Sequence, residues 1–274
     1  MSQQNLSKPE AHRETQAESR PRILAIANQK GGVGKTTTAV NLSSFLARKN
    51  FKTLLLDADP QSNSTYVFMN SPAISKTIYS AFTEENVEVA ELIKETAVPN
   101  LFLVPSSIHL AKVERMLAGV FDAPLKLRKV IGKVSNMFDY VIIDSPPSLG
   151  LLTVNALVTS DFVIVPITPS PWALEGVEDF LDTFKGVRDT FNEQLKILGV
   201  LITMFDTRTT LSKDASQKIR ELFGDLVFEE VIGRNVRLEE SPAFKEDIFT
   251  FAPESKGAIS YTKFGEECLK RLGR

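Results

Sequence analysis

From Arg22 onward, short apolar runs alternate with longer amphipathic segments, and this alternation predicts the elements. Strands are expected at residues 22–28, 52–57, 100–105, 140–144, 161–167, 197–203 and 226–232. Several of these runs are apolar on consecutive residues, as in Leu54-Leu55-Leu56 and Val141-Ile142-Ile143, where a half-exposed strand would alternate. Strands of that kind are buried on both faces, which suits a parallel sheet covered by helices. The expected fold is α/β, a single doubly wound, mainly parallel sheet flanked by helices. Residues 71–96 are the least defined, with weak helical signals among polar residues. Residues 1–21 intersperse Lys8, Arg13 and Arg20 with Glu10, Glu14 and Glu18. They contain no apolar core of a secretory signal and cannot bury one of their own. We expect a disordered tail over 1–21 and a folded domain over 22–274.

Composition narrows the function without naming it. A chain of 274 residues can bury a sizeable core. Its formal net charge of −2 gives no global attraction to nucleic acid, so such contact needs a local patch. A single cysteine, Cys268, excludes a disulfide framework within the chain and fits a reducing compartment. No apolar stretch approaches the roughly 20 residues of a membrane span. The expectation is a cytoplasmic protein.

The candidate chemistry starts at the first strand. Gly31, Gly32 and Gly34 follow it and allow a tight loop whose N–H groups turn inward on a phosphate. Lys35 supplies a cation, Thr36 a hydroxyl for Mg²⁺, and residues 36–49 form a helix whose N-terminus favours an anion. Ligands of such sheets bind beyond the carboxyl ends of the strands. Asp57 and Asp59 end the second strand, one placed to approach Mg²⁺ and the other a water; taken alone, Asp-Ala-Asp-Pro is more readily a turn. Asp144 ends the run Phe138-Asp139-Tyr140-Val141-Ile142-Ile143 as a candidate metal carboxylate, and taken alone could cap the next segment. At the ends of the late strands Met204 offers an apolar surface and Asn235 both a donor and an acceptor.

The common phosphate loop has a glycine where this chain has Gln29, and it lacks the extra lysine, Lys30. The run Lys30-Gly31-Gly32-Val33-Gly34-Lys35-Thr36-Thr37 resembles the deviant Walker A motif of the ParA/MinD superfamily of ATPases. Ser145-Pro146-Pro147-Ser148-Leu149-Gly150, Trp172-Ala173-Leu174-Glu175-Gly176 and Asn235-Val236-Arg237-Leu238 resemble its chromosomal ParA (Soj) branch, over roughly residues 22–272. The resemblance implies ATP and Mg²⁺ as cofactors, with all eight residues of the loop, Met204, Gly233 and Asn235 on the nucleotide. It implies Thr36, Asp57 and Asp144 around the metal, and Lys30, Lys35 and Asp59 in hydrolysis. Lys30 would cross an ATP-dependent homodimer, and Asp59 would position the attacking water. Arg208 and Arg237 match arginines that bind DNA. Departures are Gly233 for the usual proline, Ser62 for a frequent glycine, and Trp172 for a commoner tyrosine. The implied function is DNA partitioning: an ATP-bound, nucleoid-associated dimer on non-specific DNA, released when a ParB-like centromere-binding protein stimulates hydrolysis. Two alternatives stay open, a MinD-like membrane-surface regulator and the same motor positioning protein cargo. One cysteine weighs against the iron–sulfur relatives, and four scattered tyrosines against the tyrosine kinases that share the loop.

Overall fold

The computed structural model describes residues 20–69, 76–170 and 175–274. The expected tail up to residue 19, residues 70–75 and Trp172-Ala173-Leu174 lie outside them. Six expected strands form with ends shifted by at most two residues: β1 (Arg22–Ile26), β2 (Thr53–Asp57), β4 (Leu101–Val104), β5 (Tyr140–Asp144), β6 (Phe162–Ile167) and β7 (Lys196–Ile202). A two-residue strand, β3 (Lys94–Glu95), adds antiparallel to β4, and the sheet order is β3-β4-β2-β5-β1-β6-β7. All other pairs are parallel.

The expected strand at 226–232 is a correction. Gly224–Leu226 forms a 3-10 turn, and only isolated bridges, Val200 with Val227 and Phe205 with Gly233, link the segment to its neighbours. The reason lies in two side chains of the last helix. Arg271 donates to the carbonyls of Leu198, Leu226 and Val227 at 2.9–3.1 Å. Glu267 accepts from the N–H groups of Glu229 and Glu230 at 3.0–3.2 Å. Phe228 and Ile232 still donate their N–H groups to the Val200 and Ile202 carbonyls at 2.9 Å, but several groups between are satisfied by side chains, so no continuous ladder forms.

The helices are α1 (Lys35–Arg48), α2 (Asn63–Phe68), α3 (Ile78–Thr83), α4 (Val89–Leu92), α5 (Val113–Met116), α6 (Lys126–Gly132), α7 (Leu151–Thr159), α8 (Glu175–Thr190), α9 (Thr210–Phe223), α10 (Val236–Glu240), α11 (Ile248–Phe251) and α12 (Lys256–Arg271). Side chains alternate across a strand, so each strand feeds two cores. Ala25, Leu54, Leu56, Val141 and Ile143 pack with α3, α6, α7 and α8. Leu24, Ile26, Leu55 and Ile142 pack with α1 and α12 on the other face. The C-terminal helix α12 is thus packed on the domain, with Tyr261, Phe264 and Cys268 buried. Among the described residues no helix is long and apolar enough to cross a membrane.

Candidate nucleotide and metal site

The loop after β1 is fixed at both ends. Buried Asn28 donates from Nδ2 to the carbonyl of Pro166 at 2.7 Å, and its Oδ1 accepts from the N–H of Lys30 at 3.0 Å. Thr203, beyond β7, donates to the carbonyl of Val33 at 2.9 Å. Gly32 and Gly34 adopt φ of 71° and 82°, the left-handed region that favours glycine. Lys35 opens α1, and its buried Nζ folds back on the Lys30 carbonyl at 2.9 Å. Burial pushes its ammonium down from the ordinary range, while the carboxylates of Asp144 and Asp59 push it up. Lys30 Nζ lies 3.5 Å from Ser170 Oγ, at the end of β6.

β2 and β5 place Asp57 and Asp144 opposite each other at their carboxyl ends. Both are fully buried. Burial, then the neighbouring Asp144 charge, pushes the Asp57 carboxyl up to about 8. Burial likewise raises Asp144, to about 6, against the opposing influence of the nearby Ser64 and Thr36 hydroxyls. Asp57, expected beside the metal, has protein donors on both oxygens: the Thr65 N–H at 2.8 Å and hydroxyl at 2.7 Å, and the Asp59 N–H at 3.1 Å. It shapes the loop between β2 and α2. Asp144 differs. Its Oδ2 accepts from Ser64 at 2.7 Å, while Oδ1 is buried with no partner among the described residues. An orphaned carboxylate oxygen beside the Thr36 hydroxyl fits a hard cation that keeps several waters. Asp59 is buried, its Oδ1 accepting from the Gln61 N–H at 2.9 Å.

A cleft of about 330 Å³ adjoins the loop, lined by Gly34, Thr37, Met204, Gly233 and Asn235, with Ile232, Leu238 and Tyr261 as apolar walls. Asn235 Oδ1 is taken up in capping α10 through the Arg237 N–H at 2.9 Å, leaving its amide nitrogen for a ligand edge. Met204 has φ of 52° and is 41% exposed. A larger depression of about 830 Å³ is lined by Phe162 and Lys196, at the opposite, amino ends of β6 and β7. Volume alone would pick the wrong end of the sheet; the carboxylates and the glycine loop select the smaller cleft.

Arg208 and Arg237 are exposed, and each has a carboxylate partner. The Arg208 guanidinium grips Asp206 at 2.9 and 2.8 Å and holds its carboxyl well below the usual range. Arg237 donates to Glu240 at 2.9 Å. Sequence reasoning missed Asn28, Thr65, Ser106 and Tyr261; isolated polar residues in or beside apolar runs carry no motif to flag them.

A family model described as an AAA domain matches residues 21–197. The chromosome partitioning protein ParA of Myxococcus xanthus (strain DK1622) is 40% identical over 251 residues, 91% of this chain and 88% of that protein. The chromosome-partitioning ATPase Soj of Treponema pallidum (strain Nichols) is 38% identical over 253 residues, 92% of this chain and 99% of that protein. A crystal structure of cobyrinic acid a,c-diamide synthase from Mycobacterium smegmatis, with bound ADP and magnesium, superposes with a TM-score of 0.81 at 34% identity. It covers 93% of this chain and 97% of that one. With its glycine loop, paired lysines and strand-end carboxylates inside that match, the chain belongs to the AAA-domain family and, within it, to the ParA/Soj partitioning ATPases.

Proposed function

We propose that the chain is an ATPase that partitions DNA, an enzyme used as a switch. The observation that carries the chemistry is the convergence of Lys35, Thr36, Asp59 and the orphaned Asp144 Oδ1 at the mouth of the glycine loop. Lys35 and the loop N–H groups bind the β- and γ-phosphates, and the cleft beside Met204, Gly233 and Asn235 takes adenine. Thr36 and Asp144 hold Mg²⁺, which neutralises charge on the phosphates when bound. Asp59 orients the attacking water, with Asp57 holding its loop. Lys30 reaches the nucleotide of a second copy, so ATP closes a homodimer. That dimer holds DNA of the nucleoid without sequence preference and lets go on hydrolysis, which a ParB-like centromere-binding partner stimulates. The membrane-surface alternative requires a C-terminal helix with an unpacked apolar face, and α12 spends its apolar face on the domain core.

The test separates the two lysines. Lys35→Ala should abolish ATP binding or leave it very weak. Lys30→Ala should bind ATP and fail to dimerise, because its role lies across the interface. Light scattering behind size exclusion, with and without ATP, reads both outcomes. A Lys30→Ala protein that dimerises as the wild type does sinks the proposed crossing.

A further inference from the structure

Ser106 lies just past β4, between Pro105 and Ser107, and is 3% exposed. Its hydroxyl donates to the main-chain carbonyl of Asp59 at 2.7 Å, and its own N–H donates to Thr65 Oγ1 at 2.8 Å. Thr65 Oγ1 in turn donates to Asp57 Oδ2 at 2.7 Å, and the Asp59 N–H donates to Asp57 Oδ1 at 3.1 Å. The four residues therefore close a ring: Ser106 to Asp59, Asp59 to Asp57, Thr65 to Asp57, Ser106 to Thr65. All four are buried. The ring joins the end of β4 to the loop after β2 and to α2.

We infer that Ser106 is a positioning residue for hydrolysis, fixing the main chain of Asp59 so that its carboxylate meets the attacking water. The inference rests on the reading of Asp59 as the water-orienting group. Asp59 is otherwise held by short-range bonds alone, since its carbonyl also accepts from the Ser62 N–H at 2.9 Å and its Oδ1 from the Gln61 N–H. Those bonds move with the loop. Beside the Ala58 N–H on the Asp144 carbonyl at 2.9 Å, one residue earlier, the ring through Ser106 ties Asp59 itself to the end of β4. A buried bond of this length to a backbone carbonyl is hard to replace, because water does not reach the site.

Catalytic geometry is sensitive to such anchors: a displacement of about 1 Å can cost on the order of 10²-fold in rate. Losing one of several anchors should slow the chemistry while leaving the phosphate contacts in place. The full chain, loaded with ATP and Mg²⁺ on random duplex DNA, is assayed for single-turnover hydrolysis and for affinity toward a fluorescent ATP analogue. Ser106→Ala should hydrolyse about tenfold more slowly with affinity unchanged within about twofold. In an Asp59→Ala background the same change should slow nothing further, because its effect passes through Asp59. A wild-type rate in Ser106→Ala, a parallel fall in rate and affinity, or losses that multiply in the double variant would each overturn the inference. Wild-type hydrolysis by Asp59→Ala overturns instead the reading of Asp59 itself. Should the alanine variant not fold, Ser106→Cys keeps the size with a weaker donor. Slowed hydrolysis at unchanged affinity then supports the role, and a wild-type rate refutes it.

Discussion

Asp57 and Asp144 stand in register on adjacent strands, buried, with raised carboxyls, and this has a consequence for the nucleotide-free protein. A carboxyl whose folded pKa lies above its unfolded value, about 3.9, binds more protons folded than unfolded between the two values. Stability therefore falls as pH rises through that window, here up to about 8 for Asp57. Without nucleotide, the melting temperature should decline from pH 6 to pH 8. Asp57→Asn removes the titration, so whatever constant offset it brings, its decline over the same range should be shallower. A scanning-calorimetry series in matched buffers reads the slope, and an equal slope in the variant would assign the pH dependence elsewhere. Nucleotide and metal would change this balance, since Asp144 Oδ1 has no donor among the described residues and Asp57 has its donors already. The division of labour between the two aspartates was not legible in the sequence. Both end an apolar run; only the Thr65 and Asp59 donors, brought by the fold of the loop, set them apart.

At the scale of elements, close approach decides more than propensity. Gly265 sits in α12 where an added Cβ would lie 2.3 Å from Cδ1 of buried Phe45 in α1, while an added Cβ on exposed Gly186 in α8 would meet nothing within 4 Å. Alanine favours a helix interior over glycine by about 1 kcal/mol. Overpacking a buried contact costs about 1–3 kcal/mol, and more where both partners belong to packed helices. Gly186→Ala should then stabilise the protein by up to about 1 kcal/mol, and Gly265→Ala should destabilise it by up to about 2 kcal/mol net. Urea unfolding of the two variants reads the opposite signs directly. The same contrast explains what could be read from the chain. Consecutive apolar runs revealed β1, β2, β5 and β6 because burial on both faces leaves no alternation to misread. The run at 226–232 looked equally strand-like, yet Arg271 and Glu267 take several of its backbone groups from 38 to 45 residues further on. β3 was too short to leave a pattern, and its Lys94 and Glu95 blunt the sheet edge rather than build a core. The glycine loop was legible because its chemistry is local; the ring that holds Asp59 joins three distant segments and left no trace.

For the whole molecule the question is how a chain of net charge −2 would hold the polyanion that the proposed function requires. It can do so only if cations from two subunits meet on one face. Arg208 and Arg237 are the candidates, and the structure gives each a competing carboxylate, Asp206 and Glu240. These pairs do not argue against DNA binding. Exposed ion pairs contribute little and are screened by salt, so a phosphate can displace the carboxylate. They do make a prediction that a simple count of arginines would not. Asp206→Asn frees the Arg208 guanidinium of its bidentate partner and should tighten binding to random duplex DNA in the presence of ATP. Arg208→Glu together with Arg237→Glu should abolish that binding while preserving the ATP-dependent dimer. Two arginines from each of two subunits give roughly four neutralised phosphates and a logarithmic salt slope of about −3.6 in the wild type. Fluorescence anisotropy across a salt series, with ATP and with ADP, measures all three proteins on one scale. Full-strength binding by the double variant would place the patch elsewhere, and weaker binding by Asp206→Asn would mean that the carboxylate orients Arg208 for DNA rather than competing for it.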